Sequence, residues 1–234
     1  MFIKNKLISV LYKLIIIIIC SYGIFIEIGI FDGKVNFKIF NYFTIWSNIL
    51  VLLYLICSIV WIIKYNNTKK NNTFLPSLKG AITLNIVITF LVYNFILTKS
   101  NFDMKIANSY NMFIANKIVH YIVPVMMILD YLLFDNKGEY KKIYPVYWIS
   151  IPYIYLFYVF IMIKLGNDVG INSKYPYPFL NIELLGNSKV FISIIYFNIA
   201  FILLGYLIFI LDKLFSKGYY FFSKSKNVCF SKLK

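Results

Sequence analysis

Long apolar runs alternate with short, lysine-bearing polar segments along the whole chain. The runs cover residues 7–30, 39–63, 80–98, 112–134, 143–163 and 190–211. As a helix rising about 1.5 Å per residue, each is long enough to cross roughly 30 Å of hydrocarbon. Their near-continuous apolarity lacks the two-residue alternation of a barrel strand, and a helix satisfies its own backbone polar groups inside a bilayer. The pattern therefore predicts an all-α fold: a polytopic membrane bundle of six transmembrane helices over residues 1–214, followed by a basic tail over 215–234. Lys4 and Lys6 precede the first run as they would in a signal peptide. That run is too long for the apolar core of a leader and is followed by no small-residue cleavage site, so it reads as a span.

Composition agrees. Of the 234 residues 61% are hydrophobic and 14% charged, with a mean hydropathy of +0.75, which leaves too little polar surface for a soluble domain. The net charge of +15 comes from 24 basic residues, all lysine. Because these flank the apolar runs, they point to topology and lipid headgroups rather than nucleic acid. Counted by side, 16 fall with the termini and the second and fourth loops, and 8 with the other loops. The richer side is expected to be cytoplasmic. The expected location is the cell membrane, multi-pass, with both termini inside. The absence of arginine beside abundant Ile, Asn and Lys fits an AT-rich, bacterial genome.

Cys20, Cys57 and Cys229 have no metal or redox spacing, and His120 is the one histidine. No metal site and no cofactor is implied. Asn66 and Asn71 begin sequons on a loop expected to be cytoplasmic, and read as chance matches. The tail carries Tyr219, Tyr220, Phe221 and Phe222 among lysines. It suits either an anionic lipid surface or a solvated positive segment.

Polar groups within spans are costly, and each is a candidate for function. His120 falls about two turns into the fourth span. It reads as a general base or substrate contact, or else as a structural histidine bonded to a neighbouring helix. At the start of the second span Asn41, Thr44, Ser47 and Asn48 recur at helical spacing as one polar stripe. Alone they read as helix–helix hydrogen-bonding residues. Topology, however, places them in the same half of the membrane as His120. Thr44 is the candidate nucleophile for a histidine base, with Ser47 as competitor and Asn48, one turn deeper, as a donor to an oxyanion.

Tyr175 and Tyr177 lie in the proline-stiffened segment 175–179 of the last outer loop and can cap an outer cavity. An interfacial aromatic belt is the plainer alternative. Tyr144, Tyr147, Trp148, Tyr155 and Tyr158 read as packing in the fifth span, which Pro145 and Pro152 are expected to kink. Asp130 lies about 15 Å along the helix axis from His120, too far to orient its ring. Glu27 and Asp32 are better placed. Lys117 is expected to snorkel outward or to meet an anionic headgroup.

The segment 40–48, FNYFTIWSN, resembles the "YFTxxSN" signature of the bacterial six-span Pr6Pr family. His120 to Pro124, Leu129-Asp130-Tyr131 and the YPYPFL stretch from Tyr175 are similar to further motifs of that group, in the same order. More distantly, the group resembles the eukaryotic androgen-induced-gene family of transmembrane threonine hydrolases, which cleave fatty acid esters of hydroxy fatty acids. The resemblance implies a six-helix fold and a catalytic pair at Thr44 and His120. The function expected is an intramembrane hydrolase of a lipid ester, with Asn41, Ser47 and Asn48 near the substrate and membrane lipids as its surroundings. The alternative is a non-enzymatic transporter or lipid-binding protein. The missing internal repeat and the lack of a charged ring or filter motif weigh against transporter and channel.

Overall fold

The computed structural model describes residues 3–33, 35–65, 73–100, 110–171 and 173–231, with side chains described through residue 218. All regular structure among them is helical. Six helices are long and apolar enough to cross a membrane: α1 (Lys6–Ile28), α2 (Phe43–Lys64), α3 (Pro76–Leu97), α4 (Tyr110–Phe134), α5 (Tyr144–Lys164) and α6, which runs from Asn187 to Ser231. They match the six apolar runs, with shifted ends. The helix of α6 continues without a break into residues 215–231, which the sequence marks off as a tail. Lys34, both sequons' asparagines and the side chains of the tail aromatics and Cys229 lie outside the described residues.

Large apolar side chains such as Leu7, Ile18, Leu53, Val60, Phe157 and Leu203 are more than half exposed, a surface suited to lipid rather than water. α3 is the central post. It packs on α2, α4, α5 and α6, while α1 closes the other side against α2 and α4. Gly80 brings α3 close to α5, since a Cβ there would stand 2.2 Å from the Trp148 ring. At Gly23 a Cβ would stand 2.6 Å from Ile118, so α1 lies directly on α4 two residues from the histidine.

Three local breaks shape the end where the loops are poor in lysine. Phe37–Asn41 forms a 3-10 turn, capped when the Lys38 amide donates to the Asn36 side chain at 3.0 Å. Tyr42 is then extended, and α2 starts only at Phe43. Asn41 therefore lies in the turn before α2, and the predicted four-residue stripe is shortened to Thr44, Ser47 and Asn48. The second break is a π turn ending α3 at Tyr93–Leu97, and the third is a π turn inside α4 at Ile118–Ile122. Pro124 follows the latter and has no N–H to give the His120 carbonyl, which loosens the helix there. In α5 the helix breaks at Ile149, next to the Trp148 carbonyl that Pro152 leaves without its helical donor.

Candidate active site

Thr44 is the second residue of α2, and His120 sits in the π turn of α4. Both are buried, and Thr44 Oγ1 lies 3.2 Å from His120 Nε2. The other ring nitrogen, Nδ1, is 3.2 Å from the Asn116 carbonyl. A carbonyl only accepts, so Nδ1 carries the hydrogen, and the lone pair on Nε2 faces the Thr44 hydroxyl. The ring is held flat against Tyr93 of α3, with centroids 3.8 Å apart and planes 19° apart. Two π turns thus face each other, one supplying the base and one the surface that fixes its plane.

Tyr177 reaches this pair from the loop before α6. The Phe43 amide donates to its phenol oxygen at 3.0 Å, which caps the start of α2 where Tyr42 offers no side-chain cap. The phenol also shares a hydrogen bond with the Thr44 hydroxyl. Burial pushes the phenol pKa up, and its bonds to Thr44 and to the amides of Phe43 and Thr44 pull it only partly back. At neutral pH it keeps its proton.

The other predicted residues divide. Asn48 is fully buried one turn below the pair. Its amide donates to the Thr44 carbonyl at 2.8 Å and to the Val119 carbonyl at 3.2 Å, while its oxygen faces the Cys20 thiol at 3.4 Å. Both amide hydrogens are taken, so Asn48 ties α1, α2 and α4 together beneath the dyad. Ser47 is buried, and its hydroxyl meets no partner among the described residues. No base lies on it, in contrast to Thr44. Asn41 donates to the Val169 carbonyl at 2.9 Å and accepts from the Tyr158 hydroxyl, and its own carbonyl accepts from Tyr155 at 2.9 Å. It fastens the turn to the last loop and to α5. Tyr175 is buried within its loop, where Ser173 bonds its backbone on both sides, and it lines neither cavity at Thr44.

Thr44 forms part of the wall of two cavities. One, of about 50 Å³, is lined by Glu27, Tyr42, Asn116, His120 and Tyr177. The other, of about 80 Å³, is lined by Phe43, Ile88, Val92, Leu156, Phe197 and Phe201. The first offers partners to water and the second offers hydrocarbon.

A second polar cluster lies at the lysine-rich end. Asp130 of α4 pairs through one oxygen with Lys13 of α1 at 2.5 Å and through the other with Lys79 of α3, and Lys79 also faces Asp135 at 3.6 Å. All three paired side chains are at most 3% exposed. Sequence reasoning counts Lys13 and Lys79 as charges flanking spans, whereas both are buried counterions. The available signal was an aspartate inside an apolar run, which requires a nearby cation. Fourteen lysines still stand against eight once these two are set aside. Lys117 lies 4.6 Å from the centre of the Tyr121 ring, a cation–π contact on α4 itself.

Comparison with family models, with curated proteins and with solved structures finds no match for this chain.

Proposed function

We propose that the protein is an intramembrane hydrolase of a lipid ester. The observation that carries this reading is the hydrogen-bond approach of Thr44 Oγ1 to the unprotonated nitrogen of His120 at 3.2 Å. A hydroxyl becomes a competent nucleophile when a base takes its proton as it attacks. Thr44 oxygen adds to the ester carbonyl carbon while its proton passes to His120 Nε2. The resulting imidazolium returns that proton to the departing alcohol, and the C–O bond of the ester breaks. Water from the polar cavity then adds to the acyl-threonine, again losing a proton to His120, and the fatty acid leaves with Thr44 restored.

Tyr177 supplies the oxyanion donor in this scheme. The oxyanion and the Thr44 oxygen are bonded to the same carbon in the tetrahedral adduct. A protonated phenol within hydrogen-bond reach of the resting Thr44 hydroxyl needs only a small shift to turn its hydrogen on the neighbouring oxygen. Asn48, with both amide hydrogens on carbonyls, is a positioning residue instead. The lysine excess at the far end supports a placement with both termini cytoplasmic and the dyad toward the outer leaflet.

The test is turnover of a panel of lipid esters by the purified protein in detergent. Thr44→Ala, Thr44→Ser and His120→Ala run beside the wild type, with folding followed by thermal unfolding. Cleavage by wild type, its loss in both alanine variants and partial retention in Thr44→Ser are the expected results. Full cleavage by folded Thr44→Ala sinks the reading.

A further inference from the structure

We propose that the apolar cavity beside Thr44 holds the acyl chain of the substrate, and that the chain slides in sideways from the bilayer between α5 and α6. The proposal rests on the hydrolase reading for the identity of the ester, while the binding lane itself is argued from geometry.

The cavity presents hydrocarbon on nearly every side. Its few polar groups already have partners: the Thr89 hydroxyl donates to the Asn85 carbonyl at 3.0 Å, and the Tyr155 hydroxyl to the Asn41 carbonyl at 2.9 Å. Water gains nothing there, since an apolar cavity of this kind stays dry or takes an apolar guest. A second cavity of about 40 Å³ shares Pro152, Leu156, Ile194, Phe197 and Phe201 with it and extends to Ile149, Tyr153 and Asn198. Joined, the two form a lane that begins at Thr44 and ends at the seam between α5 and α6. Tyr153, at the far end, is 47% exposed on the surface that faces lipid.

The backbone explains why a seam exists. α6 approaches α5 closely along Tyr144–Trp148, before the break at Ile149, and has little close backbone contact with the stretch beyond it. The proline that interrupts α5 lies on the lane itself. Across the seam the Asn198 amide donates to the Tyr153 hydroxyl at 2.5 Å, a polar bridge in otherwise apolar surroundings. The lane is bounded by α3, α5 and α6 and ends on the hydroxyl that reacts. Those limits suit a single flexible hydrocarbon chain and exclude a helix of another protein.

The experiment is photolabelling in phosphatidylcholine nanodiscs with a long-chain fatty acid carrying a diazirine at mid-chain, using wild type and His120→Ala. The expected result is labelling at Leu156, Ile194, Phe197 or Phe201 that excess unmodified fatty acid suppresses at least tenfold. Labelling confined to lipid-facing positions such as Phe157 and Leu203, and insensitive to competitor, overturns the lane. Saturable lane labelling in a protein that cleaves no ester removes the hydrolase reading and leaves the lane standing. Ester cleavage with unsaturable labelling does the reverse. A second measurement uses Leu156→Trp, with Ile194→Trp in reserve if the first does not fold. The kcat/KM for long-chain esters should fall at least tenfold more than that for an acetyl ester. Equal loss for both esters counts against the lane.

Discussion

The two ends of the bundle both bury polar side chains and treat them in opposite ways. At the lysine-rich end, Lys13, Lys79 and Asp130 are charged, closely paired and almost wholly buried. At the other end, Thr44, His120 and Tyr177 are linked by hydrogen bonds, and all three line a cavity. The first arrangement leaves no oxygen or nitrogen free to react, and its charges hold one another across three helices. The second keeps a lone pair aimed at a hydroxyl next to space for a guest. Burial of polarity in a membrane therefore divides into anchoring and reactivity according to what remains accessible after every bond is counted.

The largest expected effect separates the two ends directly. Thr44→Ala or His120→Ala should lower ester turnover by roughly 10⁴-fold, with unfolding stability changed by no more than about 2 kcal/mol. Steady-state rates and denaturant titration in mixed micelles give both numbers. Asp130→Ala should do the opposite. It leaves the buried Lys13 ammonium without a counterion and Lys79 with only the more distant Asp135, and should cost about 3–5 kcal/mol of stability, while each molecule still folded turns over at the wild-type rate. Large stability losses at both ends would erase the distinction.

Smaller effects sharpen it within the reactive end. Tyr177→Phe should reduce kcat by roughly 10²-fold with KM little changed, because the donor is needed most when charge develops on the oxyanion. An equal loss in kcat from Asn48→Asp with kcat unaffected by Tyr177→Phe would reverse the two roles. Asn48→Ala should cost about 1–3 kcal/mol by leaving the Val119 carbonyl unpaired in the core, read out as a lower unfolding midpoint.

The smallest effect belongs to the lysine-rich end. Burial pulls the Lys137 amino group down to about 8 against the opposing pull of Asp135 and Asp212. The unfolded chain, with the ordinary lysine value of 10.5, binds more protons between these limits. Stability should therefore rise with pH through that window, and Lys137→Met should flatten the rise. A fall in wild-type stability across the same window would contradict the assignment.

The spans were legible because a bilayer demands long apolar helices, and the six runs became six helices. Their breaks were not. Tyr42 turns extended between a 3-10 turn and α2 inside a stretch whose polar residues keep helical spacing, so the periodicity does not mark the change. The π turn around His120 is partly visible in Pro124, which removes a helical donor four residues on. Thr44 and His120 stood out as polar residues inside apolar spans, placed by topology in the same half of the membrane. The part played by Tyr177 depended on a contact between residues 134 positions apart, which no local pattern encodes. Lys13 and Lys79 look like any lysines near the ends of apolar runs. Only the charge of Asp130, set inside the fourth run, hinted that two of them turn inward.

The π turn at Ile118–Ile122 has a consequence for how such a centre can arise and be lost. A π turn is an ordinary helix carrying one surplus residue. Excising one residue there lets the halves of α4 on either side keep their faces, since the surplus never advanced the register. The excised helix would close up as regular α-helix, and side chains just before the cut would swing by up to about 100° relative to those after it. The imidazole would leave α2 altogether without any change of residue type. A single codon insertion or deletion is therefore enough to switch this bundle between one that pairs His120 with Thr44 and one that does not.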